Sequence, residues 1–160
     1  MGDGILAISF RGNRAFLSNF SPSIIEYGGV QWPTVEHAFQ AAKAIHDNNY
    51  VALIKQAATP REAKRLSRTI KLPEEWLYIR VGIMELLLRK KFSDWKLRLL
   101  LLSTKDEELI EENDWGDTFW GVCNGVGENW LGKLLMKIRD EEKKQQEAVY
   151  ALWQDIFRRR

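Results

Sequence analysis

The sequence predicts an α+β fold, a predominantly helical single domain with a few short strands near its front. Three observations carry that prediction. Two β-rich runs flank Gly28-Gly29 in IIEYGGVQW, a tight-hairpin pattern, because glycine accepts the positive φ such a turn needs. Helix-start signals then recur: Thr34 before VEHAF, Thr59-Pro60 before REAKR, and the LPEEW run. Finally, apolar residues repeat at helical spacing through the tail, and no internal repeat, low-complexity segment or linker divides the chain.

Taken in order, Ile5 to Phe10 alternates weakly and predicts a strand. The hairpin follows and Pro33 ends its second strand. Thr34 then caps a helix over about Val35 to Ile45, with Glu36 in the first turn, where the helix dipole favours a carboxylate. In TPREAKRLSR, Thr59 is the N-cap, Pro60 takes the first helical position and Glu62 completes a capping box. A long helix is predicted from about Pro73 to Phe92, burying Trp76, Ile79, Ile83 and Leu87 and leaving Arg80 and Lys91 elsewhere. A short helix capped by Ser93 or Asp94 follows, and ELIEEN reads as a short strand. DWGDTFWGVCNGVGENW packs four glycines, two asparagines and three tryptophans into 17 residues, a loop whose aromatic residues are not loop filler. Asn129 is placed to cap a helix from Trp130 through LGKLLMKIR. The last segment is a strong helix former whose Val149, Leu152, Trp153 and Ile156 should dock on something.

The bulk numbers bound the function. With 160 residues, 45% hydrophobic and 29% charged, the chain is long enough for its own core and is not disordered. A net charge of +2 neither argues for nucleic acid nor excludes it, and Arg158 to Arg160 read as a solvated basic end. Cys123 is the single cysteine, so no disulfide forms within the chain, which fits a reducing compartment. His37, His46 and Cys123 are too few for a structural zinc site of four such ligands, and no cofactor is expected. MGDGILAISF has no basic n-region, Leu6 stands where a myristoylation signal wants Ser or Thr, and LRLLLLS is too short to span a bilayer. The expectation is a cytoplasmic protein without a membrane partner.

One helix raises the question of a site. At 100° per residue, Glu36, Gln40 and Lys43 fall within about 60° of one another, and Glu36 and Lys43 are about 10.5 Å apart along the axis. That is beyond the reach of an i,i+4 ion pair, so the two charges bracket a third object more naturally than each other. The bland alternative, a solvated stripe, stays open on this helix alone. Elsewhere, FLSNF sets Ser18 and Asn19 between aromatic residues. AKRLSR holds Lys64, Arg65 and Arg68, enough charge for a phosphate. WGDTFWG places Asp117, a candidate acid or base, in an aromatic loop. Turn chemistry, solvated basic residues and a cap are the corresponding structural readings.

The stretches FLSNF, WPTVEHAFQAAKA, TPREAKRLSR, MELLLRKKF, LLSTKDEELIEENDWGDTFWGV and GENWLGKLLMKIR, in that order, resemble the NADAR (YbiA-like) family of N-glycosidases from about Ile8 to Arg139. Ser67 stands where glycine is common in that family, and the GVCNGVGEN loop varies in length among its members. The resemblance implies a YbiA-like domain over residues 1–140, with 141–160 a helical extension packed on it. It implies hydrolysis of the bond between ribose C1 and an exocyclic amine. Two substrate classes follow: ADP-ribosylated guanine in nucleic acid, the reading preferred here for its basic residues, and the phosphorylated ribosylamino-pyrimidines of riboflavin synthesis.

On that reading Glu36, Lys43 and Asp117 are catalytic. The Lys43 amine would add to a ring-opened, imine-like C1 and form a Schiff base that water hydrolyses, with the carboxylates handling protons. Direct hydrolysis through an oxocarbenium-like state is the alternative. Trp32, Trp115 or Trp120 would stack on the base and Lys64, Arg65 or Arg68 would hold phosphate, with Ser18, Asn19, His37, Gln40, Gly121 and Asn129 completing the substrate-binding set. His37 has a second reading, a satisfied buried hydrogen bond. A non-catalytic binder of ADP-ribose or nucleic acid would use the same aromatic and basic residues but has no need of the Glu36, Lys43 and Asp117 set.

Overall fold

The structure, a computed structural model, describes residues 8–158, and the chain divides into two compact units, one from Ser9 to Leu97 and the other from Arg98 onward. Of the strand expected across Ile5 to Phe10, β1 (Ile8–Ser9) is seen; residues 5–7 lie outside the described residues.

In the first unit a 3-10 segment (Gly12–Leu17) leads into the hairpin of β2 (Pro22–Tyr27) and β3 (Val30–Thr34). Ile25 faces Trp32 and Tyr27 faces Val30 across it, and both turn glycines have positive φ (61° and 74°), as the sequence requires. Thr34 then caps α1 (Val35–Ala42), its hydroxyl accepting from the His37 amide. Helix α1 is shorter than expected, so Lys43 is its C-cap residue. Asp47 caps α2 (Asn48–Lys55), a helix absent from the sequence-based expectations. α3 (Pro60–Leu66) has half of the predicted capping box: Thr59 Oγ1 accepts from the Glu62 amide, while the Glu62 carboxylate accepts from Ala58 N, one residue ahead of the cap.

α4 (Trp76–Phe92) buries Trp76, Met84, Leu87, Leu88, Lys91 and Phe92. This corrects the predicted face: Ile79 is exposed, and Lys91 lies inside. The α1 helix packs against α2, α3, α4 and the hairpin, so its whole length is enclosed. Leu17, Ile25, Trp32, Val35, Ala38, Ala41, Ile54, Leu87 and Leu88 form the core around it. α5 (Trp95–Leu102) opens on Asp94, whose Oδ1 accepts from Lys96 and Leu97 amides.

In the second unit, ELIEEN yields two short strands, β4 (Leu109–Ile110) and β5 (Glu112–Asn113), and β5 pairs in parallel with β6 (Val122–Cys123). α6 runs unbroken from Trp130 to Arg158 and buries Leu131, Leu134, Leu135 and Ile138 against the β4 end. The extension expected to pack on the domain is instead the far half of this helix, and its Val149, Leu152, Trp153 and Ile156 are 49 to 62% exposed. No helix among the described residues is long and apolar enough to cross a membrane.

Close approach explains Gly132. A Cβ there would stand 2.0 Å from the Leu109 carbonyl oxygen, whereas Gly82, inside α4, has nothing within 4 Å. Gly132→Ala is therefore expected to lower unfolding free energy by about 1–3 kcal/mol in a urea melt. Gly82→Ala should raise it by about 0.5–1 kcal/mol through helix propensity.

Candidate active site

The first unit concentrates polar side chains where a core would be apolar. Glu36, His37 and Gln40 are each 5% exposed or less, on the most enclosed helix of the unit. This rules out a solvated stripe. Gln40 Nε2 donates to Glu36 Oε1 at 2.6 Å, so the amide fixes the carboxylate one turn away. The Glu36 amide N–H donates to the Asn19 carbonyl at 3.1 Å, docking the FLSNF turn on the start of α1.

Lys43 Nζ donates to Ser67 Oγ at 3.1 Å, and that hydroxyl donates to the Lys64 carbonyl at 3.0 Å. Ser67 thus ties the lysine to the end of α3. Burial pushes the Lys43 amine below its ordinary value; the Glu36 charge opposes the shift, and the Lys64 and Arg68 charges add to it. Glu36, Lys43, Lys64 and Arg68 therefore share one electrostatic neighbourhood. Arg65 is on the exposed side of α3, 3.7 Å from Glu62.

Two acceptors in this cluster are buried without a partner: Asn19 Oδ1 and Gln40 Oε1. Each side chain uses its amide nitrogen, Asn19 Nδ2 on Met84 Sδ at 3.3 Å and Gln40 Nε2 on Glu36. Buried acceptors left open this way point to a ligand that brings donors, such as hydroxyl or amino groups.

The remaining first-unit candidates serve the scaffold. Trp32 is 1% exposed and its Nε1 donates to the Tyr27 carbonyl at 3.1 Å; its ring is core, a correction to the proposed stacking role. His37 accepts from Thr34 Oγ1 at Nδ1 (2.8 Å) and meets the Ala57 carbonyl at Nε2 (3.3 Å), while burial lowers its pKa. It is the satisfied buried histidine of the alternative reading. Ser18 Oγ accepts from the Phe20 amide, turn chemistry.

Two further residues beside the cluster are not among the sequence-predicted site residues: Lys91, expected off the buried face of α4, and Tyr50. Lys91, 1% exposed, donates to the Ser18 carbonyl at 2.8 Å, and burial pushes its amine down to about 7. Its spacing from Met84 and Leu87 was the available signal. Tyr50 donates to the Gln40 carbonyl at 2.8 Å and burial raises its phenol to about 12, with Ser67 as a second neighbour. No local sequence signal marked it.

The other candidates belong to the second unit. Asp117 Oδ1 accepts from the Phe119 and Trp120 amides at 3.2 and 2.9 Å, and its backbone is held by Asn113, so the carboxylate caps its own turn. Trp115 is 58% exposed, while Trp120 packs edge-on against Phe119. Gly121 is where a Cβ would meet the Glu111 carbonyl at 2.1 Å. Asn129, at φ 54°, accepts from Glu111 N and donates to the Leu109 carbonyl rather than capping α6 with its side chain.

Comparison with known proteins adds five findings. Residues 9–142 match the NADAR domain. An N-glycosidase of Nostoc punctiforme is 43% identical over 130 residues, covering 78% of this chain and 83% of that protein. The N-glycosidase YbiA of Escherichia coli is 38% identical over 128 residues, covering 78% and 79%. The NMR structure of E. coli YbiA superposes with a TM-score of 0.77 at 34% identity, covering 89% of this chain and 88% of that one. A riboflavin biosynthesis protein of Vibrio vulnificus is 38% identical over 148 residues, 90% of this chain but 39% of that longer protein.

Proposed function

The chain belongs to the NADAR domain family and is an N-glycosidase, and from that premise we propose that it cleaves the bond between ribose C1 and the exocyclic amine of a nucleobase, with ADP-ribosylated guanine in nucleic acid as its substrate. The observation that carries this reading is the pair of buried Glu36 and Gln40 with half-buried Lys43, beside the cations Lys64 and Arg68. A carboxylate and an amine of lowered pKa supply chemistry that a mere binder lacks. The cations suit a diphosphate. The open oxygens of Asn19 and Gln40 suit ribose hydroxyls.

Glu36 carries the proton lost by the glycosidic N–H to the ring oxygen, opening the sugar to a C1=N imine. Neutral Lys43 adds to C1, and the heterocycle leaves as its free amine, so that C1 is now doubly bonded to Nζ. Water hydrolyses this Schiff base, returning the lysine and releasing the aldehyde form of the sugar. Depression of the Lys43 pKa by burial and by Lys64 and Arg68 raises the fraction of free amine. Ser67 aims it. Asp117, which caps its own turn, is given no step.

The resemblance to a riboflavin biosynthesis protein of V. vulnificus favours a second reading, hydrolysis of phosphorylated ribosylamino-pyrimidines. Equal concentrations of guanine-ADP-ribosylated DNA and of the ribosylamino-pyrimidine phosphate separate the two. The expected result is faster release of ADP-ribose; faster release of ribose 5-phosphate would reverse the assignment. Borohydride added during turnover is expected to leave a ribosyl adduct on Lys43 by mass spectrometry. No adduct, together with an active Lys43→Ala variant, would remove the Schiff-base route and leave direct hydrolysis.

A further inference from the structure

The turn over residues 18–21 is held from three sides. Within it, the Ser21 amide donates to the Ser18 carbonyl at 3.1 Å and the Phe20 amide to Ser18 Oγ at 3.2 Å. From α4, Lys91 Nζ donates to the same Ser18 carbonyl at 2.8 Å, so both lone pairs of that oxygen are taken. Seven residues earlier, two helical turns along the same face of α4, Met84 Sδ accepts from Asn19 Nδ2 at 3.3 Å. From α1, the Glu36 amide donates to the Asn19 carbonyl. Asn19 is thus fixed through its main chain and its amide nitrogen, and Oδ1 alone of its side-chain polar atoms is left without a partner.

A lysine at 1% exposure is a costly filler for that space, since Met or Leu would pack there with no charge to desolvate. Among the described residues no carboxylate pairs with it, and its contacts are the Ser18 carbonyl and the Phe92 ring. What the lysine adds is the bond to the turn. We propose, resting on the reading in which the open Asn19 oxygen meets the sugar, that Lys91 and Met84 are positioning residues: from one face of α4 they fix the 18–21 turn so that Asn19 Oδ1 is aimed to accept from a ribose hydroxyl of the substrate. Neither residue takes a step in the hydrolysis. A hydrogen bond to a spectator hydroxyl forms on binding and persists through the reaction, so its loss falls on KM rather than kcat. The charges that move the Lys43 amine are Glu36, Lys64 and Arg68, so removal of Lys91 leaves the nucleophile as it is.

The test is steady-state kinetics of the full chain on whichever of the two ribosylated substrates the wild type cleaves faster. Faster cleavage of the ribosylamino-pyrimidine phosphate reverses the substrate assignment but still presents a ribose to Asn19, and the positioning role is then read on that substrate. Lys91→Met and Asn19→Ala are each expected to raise KM about tenfold, the effect of one hydrogen bond, with kcat within about twofold of the wild type. In the Asn19→Ala background, Lys91→Met should add less than about twofold, because the two act through one atom. Met84→Leu keeps the volume and removes the sulfur acceptor, so it is expected to fold as the wild type does and to raise KM about threefold. A KM unchanged by Asn19→Ala or by Lys91→Met overturns the proposal. So does a full tenfold effect of Lys91→Met in the Asn19→Ala background, which marks Lys91 as scaffold. Should Lys91→Met fail to fold, an unchanged KM in Met84→Leu overturns the hold by α4.

Discussion

Glu36→Gln is expected to reduce turnover by about 10²–10⁴-fold, the range for loss of a positioned acid–base group, while leaving the melting temperature within a few degrees of the wild type. The two halves of that expectation rest on the same geometry. Glutamine keeps an oxygen where Glu36 Oε1 accepts from Gln40 Nε2, so the packing around the enclosed α1 helix survives. What disappears is a group able to take and return a proton at the glycosidic nitrogen and ring oxygen. The negative charge that opposes the lowering of the Lys43 pKa also disappears. The lysine amine in the variant should therefore titrate still lower, so free amine is not the shortage. Loss of kcat with intact folding then assigns the defect to proton transfer. Activity close to the wild type would remove Glu36 from the mechanism, and a collapsed melt would reassign it to the scaffold.

A Gln40→Leu variant separates positioning from proton transfer. It removes the donor that holds Glu36 Oε1 and also one of the two unpartnered acceptors. It is expected to raise KM and lower kcat together, where Glu36→Gln acts chiefly on kcat. If Gln40→Leu leaves both constants unchanged, the open Gln40 oxygen does not meet substrate.

What the sequence makes legible here is whatever a few adjacent residues encode. The Gly28-Gly29 turn, the Thr34 and Thr59 caps and the proline at the start of α3 each act through neighbours within four positions, and each stands where expected. The Glu36, Gln40 and Lys43 stripe was visible for the same reason. The burial of Glu36 and Gln40 was not, since it arises because α2, α3, α4 and the hairpin enclose α1 together. Helix α2 escaped notice because its capping Asp47 is followed by two asparagines, which are weak helix formers. Trp32 looked like a platform for a base because nothing local says whether an indole faces inward. The Tyr27 carbonyl five residues earlier takes its N–H and closes the question. Apolar spacing in the tail was read correctly as a helix, but spacing cannot say what the helix meets. The open oxygens of Asn19 and Gln40 are the least legible features of all, because an unmet hydrogen bond exists only once every neighbour is in place.

Lys91 is the instructive miss, and it leads to the second large effect. Helical spacing sets Lys91 off the predicted buried face of α4, yet the residue is 1% exposed, with the Ser18 carbonyl 2.8 Å away and the Phe92 ring 5.4 Å away as its contacts. Burial lowers its pKa from 10.5 to about 7. Below pH 7 the amine is protonated in both the folded and unfolded chain, and folding has to bury the charge. Between pH 7 and about 10 the unfolded chain still binds that proton while the folded chain has released it, so stability must rise with pH. The full gain is on the order of 5 kcal/mol. Lys43, whose pKa is also lowered, contributes in the same direction. Tyr50 and Tyr27, both raised, act oppositely, and only once the unfolded phenols ionise near pH 10. Urea midpoints of the wild type are therefore expected to climb from pH 7 to 9. Lys91→Met should flatten most of that slope and equal or exceed the wild type near pH 6, where it has no charge to bury. Its lost bond to the Ser18 carbonyl subtracts about 1–3 kcal/mol at every pH and leaves the slope unchanged. Equal slopes in the two proteins would show that Lys91 stays charged in the folded state. Its amine would then be a fixed cation behind the Ser18–Asn19 turn rather than a group poised to lose its proton near neutrality.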